Sequence, residues 1–446
     1  MSDRRKVLEQ FELQKEYTEK RVNDGIEKYR KTDVCITFKD KEGNSIKNTE
    51  IKVNQINHEF KYGSNLFMLD ELETDEKNAK YREIMSTFGN MATLPFYWDA
   101  TEPEKGKTRY SKDSKKVYRR PPIDLCVEFC EKYGIEPREH ALAYDNFFPK
   151  WLYDATTDEV KIALEKRYSQ ISEKYADKIP TIEVTNEMEW GEGKTVFYDQ
   201  PDYVEWCFKK AEEYFPNNQL VINEHTGLCW GDRCRATDKY YSYIEANMLK
   251  GARIDAIGMQ YHVFCPREDE FKWTADTLYS PKNLYRHMDL YSNFGKPLQI
   301  TEITVPSYSW ESEDEEIQAE IIENLYKIWF SHPNVEQIIY WNMIDGYAHL
   351  WDPDPEKIKA SQGNMQIGEN YHHGGLLRFD LSPKPAYFTI KNLFEKVWHT
   401  SENLISNENG KISFRGFYGK YEIIVNGKVF NVNLSKNSDK NIIIEV

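Results

Sequence analysis

The sequence predicts a (β/α)8 barrel that carries a small β module, and three observations support this prediction. Between residues 58 and 400, eight short apolar or β-branched runs alternate with amphipathic helical stretches, as in a closed parallel sheet surrounded by helices. No Gly-x-Gly-x-x-Gly motif follows any of these runs, which disfavours an open dinucleotide-binding sheet. Near both ends of the chain, short alternating runs instead predict antiparallel strands.

Residues 1–57 are predicted to form a helix followed by a β hairpin. Apolar residues recur at helical spacing within the charged segment 4–31. The run 34–39 then alternates as a strand, residues 41–44 have turn composition, and 51–53 returns. We therefore expect the two runs to pair with each other.

The predicted barrel spans residues 58–400. Its eight expected strands are 59–63, 90–96, 136–144, 181–186, 219–223, 256–261, 298–301 and 337–341. The clearest helices between them are 157–176, 202–215, 236–250 and 315–331. A closed parallel barrel brings the C-terminal ends of all its strands to one mouth, so functional residues are expected there.

Residues 401–446 are predicted to be a β segment. Strands are expected at 412–414, 421–425, 428–432 and 442–446, and Asn426-Gly427 favours a type I′ turn. Neither this segment nor residues 33–56 can bury enough surface to be stable alone. We expect the two to pack together as one discontinuous module that is structural and docked on the barrel.

Composition restricts the partners. The formal net charge is −15, from 59 basic and 74 acidic residues, which disfavours nucleic acid, an anionic membrane surface or an anionic polymer. The 30 tyrosines and 11 tryptophans offer flat faces on which sugar rings stack. We expect a neutral oligosaccharide or glycoside as the partner; the oligomeric state does not follow from the sequence.

The cysteines and the first twenty residues predict a cytoplasmic location. Seven cysteines occur without the spacing of a disulfide framework, which is typical of reduced thiols. The first twenty residues are charged and contain no apolar signal-peptide core, and no run of 18 apolar residues predicts a membrane span. An enzyme in that compartment meets short oligosaccharides or glycosides rather than insoluble polymers.

Two predicted strands end on a glutamate, Glu187 after 181–186 and Glu302 after 298–301. Cleavage of a glycosidic bond uses two carboxyl groups, one as proton donor and one as nucleophile or base. Glu183 and Glu189 are alternative candidates, although Glu183 should point differently along the strand and Glu189 lies past its end. Other strand ends contribute further polar and aromatic candidates: His140, Asn223, Gln260, His262 and Trp341.

Over residues 58–400 the chain resembles glycoside hydrolase family 10, the xylanase-type retaining β-glycanases. The motifs that carry the resemblance are Thr185-Asn186-Glu187, Ile300-Thr301-Glu302-Ile303, Gln260-Tyr261-His262, Trp98-Asp99-Ala100-Thr101-Glu102-Pro103, and the closing stretch from Leu376 to Tyr387. The resemblance implies that Glu187 is the acid/base and Glu302 the nucleophile. It also implies that Asn186 binds the sugar 2-hydroxyl and that His262 orients the nucleophile. Cleavage of xylan-type β-1,4 linkages, with neither cofactor nor metal, is the family default.

The chain departs from the family where the glycone sugar binds. Xylanases carry Glu-Asn-Glu-Met-Lys before the Trp-Asp-Ala stretch, whereas residues 93–97 read Thr-Leu-Pro-Phe-Tyr. After His140, the family pattern Leu-Val-Trp-His is replaced by Leu-Ala-Tyr-Asp, which makes Tyr144 and Asp145 candidate substrate-binding residues. Since hydrogen-bonding pockets discriminate strongly between sugars, we expect weak activity on unsubstituted xylan.

Three alternatives stay open at this point: a β-glycosidase of non-xylan specificity, a non-catalytic carbohydrate-binding barrel, and a metal-dependent barrel hydrolase. Retention of both glutamates with Asn186 and His262 disfavours a pure binder, which needs neither carboxylate. The adjacent His372 and His373 could suggest a metal, but such pairs in Gly-rich loops more often line a surface or a mouth. No His-Glu-x-x-His, Gly-x-Ser-x-Gly or Walker motif is present.

Overall fold

The computed structural model describes residues 3–189 and 193–446, and its centre is a closed barrel of eight parallel strands. The barrel strands are β3 (Lys61–Asn65), β4 (Met91–Pro95), β5 (Glu136–His140), β6 (Thr181–Asn186), β7 (Gln219–Glu224), β8 (Ala256–His262), β9 (Leu298–Thr304) and β10 (Val335–Tyr340). Each pairs with the next along the chain, and β10 pairs with β3 to close the ring. All eight strands predicted from the sequence are present. The third ends earlier than expected, at His140, and the seventh continues past Glu302 to Thr304.

Helices surround the barrel and form its connections. The helices are α1 (Glu9–Leu13), α2 (Lys15–Tyr29), α3 (Asp75–Phe88), α4 (Trp98–Thr101), α5 (Ile123–Tyr133), α6 (Thr157–Tyr175), α7 (Tyr203–Tyr214), α8 (Thr226–Cys229), α9 (Lys239–Leu249), α10 (Glu270–Thr274), α11 (Pro281–Tyr291), α12 (Ser312–Ser331), α13 (Pro355–Ser361) and α14 (Pro385–Asn392). None of the helices in the described part of the chain is both long and apolar enough to cross a membrane.

The predicted N-terminal helix is divided in the structure. A 3₁₀ segment, Asp3–Leu8, precedes α1, and α2 follows after Gln14. The segment is held on the barrel by Arg4, whose buried guanidinium pairs with Glu270 at 2.9 Å. Helix α2 lies so close to α12 that a Cβ at Gly25 would stand 2.3 Å from the Ser331 carbonyl oxygen. This close approach requires glycine at position 25.

Both ends of the chain contribute to two further sheets. The strands outside the barrel are β1 (Lys31–Lys39), β2 (Glu50–His58), β11 (Ser401–Ile405), β12 (Lys411–Phe417), β13 (Gly419–Val425), β14 (Lys428–Leu434) and β15 (Asn441–Glu445). One sheet has the order β12-β1-β15 and the other β11-β2-β13-β14. Apolar side chains from both sheets form one small core, so the two sheets pack face to face.

The predicted hairpin between 34–39 and 51–53 is wrong, because β1 and β2 belong to different sheets. In a hairpin, the apolar residues of both strands would lie on one face of a single sheet with little to cover them. In the structure, Val34 and Ile36 of β1 and Val53 of β2 all enter the shared core between the sheets. The backbone partners come from the C-terminal segment, for example Val53 opposite Ile423.

Candidate active site

A cavity of about 1030 Å³ opens at the C-terminal mouth of the barrel. The loops after several barrel strands form its wall, as expected for this architecture. Eight of the ten predicted site residues line it: His140, Tyr144, Asn186, Glu187, Gln260, His262, Glu302 and Trp341. Asn223 and Asp145 are absent from the cavity wall.

Glu187 follows directly after β6 and is held by two hydrogen bonds. Gln260 Nε2 donates to its Oε1 at 2.9 Å, and the Tyr144 hydroxyl donates to its Oε2. Its backbone has φ 50°, a left-handed conformation that is uncommon for a residue other than glycine. Such conformations persist where the surroundings impose them, often at functional sites.

Glu302 lies in β9 and is 4% exposed. Asn223 Nδ2 donates to its Oε1 at 3.0 Å, and His262 Nε2 lies 3.3 Å from its Oε2. Burial raises the pKa of Glu302 to about 8, and the nearby carboxylates of Glu183 and Glu187 act in the same direction. In the free protein, this part of the site therefore retains a proton near neutral pH.

Beneath Glu302, the barrel interior holds a buried cluster of charged side chains. Glu183 is completely buried; it pairs with the guanidinium of Arg138, and its Oε1 lies 2.8 Å from His140 Nδ1. Although burial opposes ionisation, Arg138 and His140 keep the pKa of Glu183 below its ordinary value. Glu183 therefore points into the barrel and supports the site from below. The sequence analysis expected it to point differently from Glu187 but did not predict this supporting position.

Asn223 contacts Glu302 through its side chain, and its backbone carbonyl accepts from the Glu187 N–H at 3.2 Å. Its Nδ2 lies within hydrogen-bond distance of Glu302 Oε1, Asn186 Oδ1 (3.0 Å) and Glu183 Oε1 (3.3 Å). Asn186 Oδ1 also accepts from Gln260 Nε2 at 3.2 Å, which leaves the Asn186 amino group for a ligand in the cavity. Asn223 was predicted to bind substrate, but the structure places it fully buried and behind the cavity wall, where it contacts other site residues.

His262 is kept neutral by its surroundings. Burial lowers its pKa. Its Nδ1 lies 3.0 Å from the Thr304 hydroxyl and its Nε2 faces Glu302. The tautomer with hydrogen on Nε2 satisfies both contacts, because Thr304 then donates to Nδ1 and the ring donates to Glu302. His262 thus stabilises the ionised form of Glu302 through a hydrogen bond.

The comparisons with known proteins agree with this geometry. The family model described as "Glycosyl hydrolase family 10" matches residues 45–393, which is most of the chain. The chain belongs to glycosyl hydrolase family 10. The match includes all eight barrel strands and both glutamates, so the family resemblance read from the sequence is confirmed.

Curated relatives of this family 10 chain are distant. It is 24% identical to Endo-1,4-beta-xylanase 2 of Arabidopsis thaliana over 89% of this chain and 32% of that protein. It is 25% identical to Endo-1,4-beta-xylanase B of Thermotoga neapolitana over 76% of this chain and 88% of that protein. The chain spans about a third to a half of the length of the first three curated relatives that it matches.

Solved structures confirm the fold of the family 10 barrel. The crystal structure of native xylanase 10B from Thermotoga maritima matches with a TM-score of 0.56 at 24% identity, covering 76% of this chain and 96% of that one. Xylanase 10B from Thermotoga petrophila, solved in complex with xylobiose, matches with a TM-score of 0.57 at 24% identity and covers 76% and 95%. The matched portion corresponds in size to the barrel.

Asp145 does not reach the cavity of the family 10 site, so its predicted role in substrate binding is not supported by the geometry. Its buried carboxylate accepts from the Thr195 hydroxyl at 2.6 Å and from the Lys194 backbone N–H. A strand-following aspartate with backbone donors nearby fixes a loop instead. Glu189 is also outside the cavity wall and pairs with Lys239.

The donor set does not fit a resident metal. Ligand atoms of His140, Glu183 and Glu302 lie within 4.8 Å of one another in the described part of the chain. However, Arg138 already supplies a cation to Glu183, and His140 turns Nδ1 toward the same carboxylate. The adjacent His372 and His373 do not form a suitable metal site either. The carboxylate near His373 belongs to Asp345, which already pairs with Lys384 at 2.6 Å.

Several cavity residues were missed by the sequence analysis because they lie on loops without a recognisable motif. They are Arg119, Arg120, Trp273, His349 and Trp351. Trp351 is 77% exposed and Trp273 54% exposed, so both indole faces are accessible to a ligand at the rim. A count of aromatic residues suggested sugar binding but could not indicate which rings stand at the mouth.

The raised pKa of Glu302 predicts a pH-dependent contribution to stability. Between the ordinary carboxyl value of 4.5 and the folded value of about 8, the folded protein binds more protons at this site than the unfolded chain. The free energy of unfolding therefore falls as the pH rises through this window. The variant Glu302→Gln lacks this loss of stability. The melting temperature of the variant minus that of the wild type should therefore increase as the pH rises from 4.5 to about 8. A melting-temperature difference that stays constant across this range in thermal denaturation would contradict the assignment.

Proposed function

We propose that this protein is a retaining β-glycoside hydrolase in which Glu302 is the nucleophile and Glu187 the acid/base. The observation that supports this most strongly is the amide network between the two carboxyl groups. Asn223 binds Glu302, Gln260 binds Glu187, and both amides donate to the Asn186 side-chain oxygen. Two carboxyl groups fixed relative to each other in one cavity are what a double-displacement mechanism requires.

In the first step, ionised Glu302 attacks the anomeric carbon while Glu187 gives its proton to the departing glycosidic oxygen. The bond to the leaving sugar breaks and a covalent glycosyl-enzyme forms. The attraction between the Glu302 carboxylate and the sugar is strongest when positive charge develops on the ring, because little water surrounds this carboxylate. Because burial raises the pKa of Glu302 in the free protein, substrate binding must leave this carboxyl group ionised before the step begins.

In the second step, Glu187 accepts a proton from water, which attacks the anomeric carbon and releases Glu302. The product keeps the β configuration of the substrate because the carbon is inverted twice. Tyr144 and Gln260 bind the two oxygens of Glu187 and hold the carboxyl group in place in both steps. A non-catalytic binding barrel would have no use for this arrangement.

The substrate is proposed to be a β-linked oligosaccharide or glycoside. The exposed faces of Trp273 and Trp351 suit stacking against sugar rings at the cavity mouth. Xylan-type β-1,4 linkages are the default for the family, and several relatives are named xylanases. However, Phe96 is fully buried, and the Tyr97 hydroxyl at the cavity wall is already hydrogen-bonded to His140, so residues 93–97 offer fewer polar groups than the family pattern. This supports a preference for something other than plain xylan.

The proposed compartment is the cytoplasm, and the β module is proposed to be structural. All seven cysteines are free thiols in the structure, and one similar structure is described as an intracellular xylanase from Thermoanaerobacterium saccharolyticum. In the module, Tyr421 is buried in the core between the sheets, and Phe417 packs toward Phe330 of the barrel. Fractionation of the native host, followed by immunoblotting, tests the location.

The central test is covalent trapping. A 2-fluoro β-glycoside with a good leaving group is expected to inactivate the enzyme and to leave the sugar on the peptide that contains Glu302, as detected by mass spectrometry. Proton NMR of a fresh digest should show the β anomer first. Labelling of a different residue, or release of the α anomer first, would overturn the proposed mechanism.

A further inference from the structure

Two buried arginines face the cavity beside the catalytic centre. Arg119 is 4% exposed and Arg120 7% exposed, and both line the cavity wall. The Arg120 guanidinium lies 3.5 Å from the centre of the Tyr97 ring, and the Tyr97 hydroxyl is 3.0 Å from His140 Nε2. Only one ring therefore separates this positive charge from the histidine next to Glu302.

Neither arginine has an acidic partner. Among the described residues, no carboxylate lies within 4.0 Å of either guanidinium; Asp99 acts on Arg120 only from farther away. Arg120 donates to the Arg119 carbonyl at 3.0 Å and Arg119 to the Tyr347 carbonyl at 2.5 Å. The buried Nε of Arg119 has no hydrogen-bond partner in the described part of the chain.

Other buried arginines of this protein have different hydrogen-bond or ionic partners. Arg30 donates to three backbone carbonyls, those of Phe330, His332 and Val335. Arg138 pairs with the carboxylate of Glu183. Burying a cation without such partners costs free energy, so buried arginines with a structural role normally have them. Arg138 also leaves Nε and Nη1 without a hydrogen-bond partner among the described residues, but Glu183 balances its charge. Arg119 and Arg120 have neither a paired carboxylate nor the three carbonyls that Arg30 has, which distinguishes the cavity wall.

The electrostatic consequence is visible on the neighbouring histidine. Burial, together with the charges of Arg120 and Arg119, lowers the pKa of His349 to about 3. His349 also lines the cavity, and its Nε2 is buried without a partner among the described groups. This wall thus combines positive charge with unused donors. A guanidinium offers two parallel N–H groups that match a carboxylate.

We propose that the wall formed by Arg119 and Arg120 binds the carboxylate of a uronic acid, so that the preferred substrate is an acidic β-linked oligosaccharide. This inference rests on the proposed hydrolase function and deepens it by naming the substrate class. Arg120 forms the main ion pair, and Arg119 adds a second positive charge. The net charge of −15 averages over the whole chain and does not describe this local wall.

The test compares an oligosaccharide that carries one glucuronate branch with the same compound after its carboxyl group has been reduced to the alcohol. The wild type should show a kcat/KM roughly 10- to 100-fold higher on the acidic compound, the range for a hydrogen bond to a charged group. Arg120→Gln should remove this preference, measured as the ratio of kcat/KM on the acidic compound to kcat/KM on the reduced compound. Arg120→Lys should retain part of the preference, because lysine keeps the positive charge but lacks the two parallel N–H groups of the guanidinium.

The control is Arg233→Gln, which removes an exposed positive charge outside the cavity wall and should leave the preference intact. Equal rates of the wild type on both compounds, or equal losses on both in Arg120→Gln, would overturn the anion site. A preference for a sulfated analogue over the uronate would overturn the carboxylate assignment. Calorimetric titration of both compounds into Glu302→Gln keeps the test independent of turnover. If nothing is hydrolysed but the acidic compound still binds more tightly, the hydrolase proposal fails and the anion site stands.

Discussion

Replacing Glu302 with alanine is expected to lower kcat/KM on every β-glycoside by roughly 10⁶-fold, the order of loss seen when a covalent catalyst loses its nucleophile. The quality of the leaving group should make no difference, because without the nucleophile no glycosyl-enzyme can form. The measurement is steady-state hydrolysis of aryl glycosides whose phenols span a wide range of acidity. Circular dichroism should confirm that the variant is folded, since Glu302 is buried.

A small anion provides the rescue experiment for this variant. Azide can occupy the space left by the Glu302 carboxylate and attack the anomeric carbon once, which gives the α-glycosyl azide. Glu189→Ala is the matched control, because Glu189 lies two residues beyond Glu187 but outside the cavity wall. It should retain nearly full activity. Loss of activity in Glu189→Ala, with an active Glu302→Ala, would reverse the assignment.

Replacing Glu187 with alanine is expected to produce a loss that depends on the leaving group. Substrates with poorly acidic alcohols need protonation, so their kcat/KM should fall by about 10²- to 10⁴-fold, the usual contribution of general acid catalysis. A dinitrophenyl glycoside departs without a proton, so formation of its glycosyl-enzyme should be nearly unaffected. Breakdown of that intermediate still needs a base, and the covalent species should accumulate with a burst of phenol.

Azide again distinguishes the roles of the two glutamates. In Glu187→Ala it should attack the accumulated glycosyl-enzyme and give the β-glycosyl azide, the opposite anomer from the Glu302 variant. The pH dependence of kcat/KM should also lose the limb that reports the acid. A uniform loss on all leaving groups in Glu187→Ala, with no burst, would show that Glu187 acts through positioning alone.

The barrel could be predicted because its strands leave a strong pattern in the sequence. Strand β6 and its neighbours are buried on both faces and read as apolar or β-branched runs bounded by helices. Strand β11 was missed because four of its five residues are exposed and none is fully buried. The pairing of β1 and β2 was mispredicted because local turn composition says nothing about a partner that lies more than 300 residues away along the chain.

The reacting carboxyl groups were also predictable, since Glu187 and Glu302 follow or end apolar runs in recognisable motifs. The supporting residues were less so. The position of Glu183 depends on Arg138, which comes from the neighbouring strand, and pairing across strands is not visible in a local pattern. Arg119 and Arg120 lie in a long loop and enter the cavity only through tertiary packing. The residues that carry out the reaction can therefore be predicted from the sequence more readily than the residues that select the substrate.

The two outer sheets also have a consequence for how the chain is made. Strands β1 and β2 are synthesised before the barrel, but their hydrogen-bonding partners β11, β12, β13 and β15 are synthesised after it. Throughout synthesis of the barrel, these early strands keep unpaired edges that are open to association with other chains. In the nascent polypeptide, β1 and β2 are therefore protected only after the strands that follow the barrel have been made. Premature termination shortly before β12 would thus release an aggregation-prone product even though every barrel strand had been made.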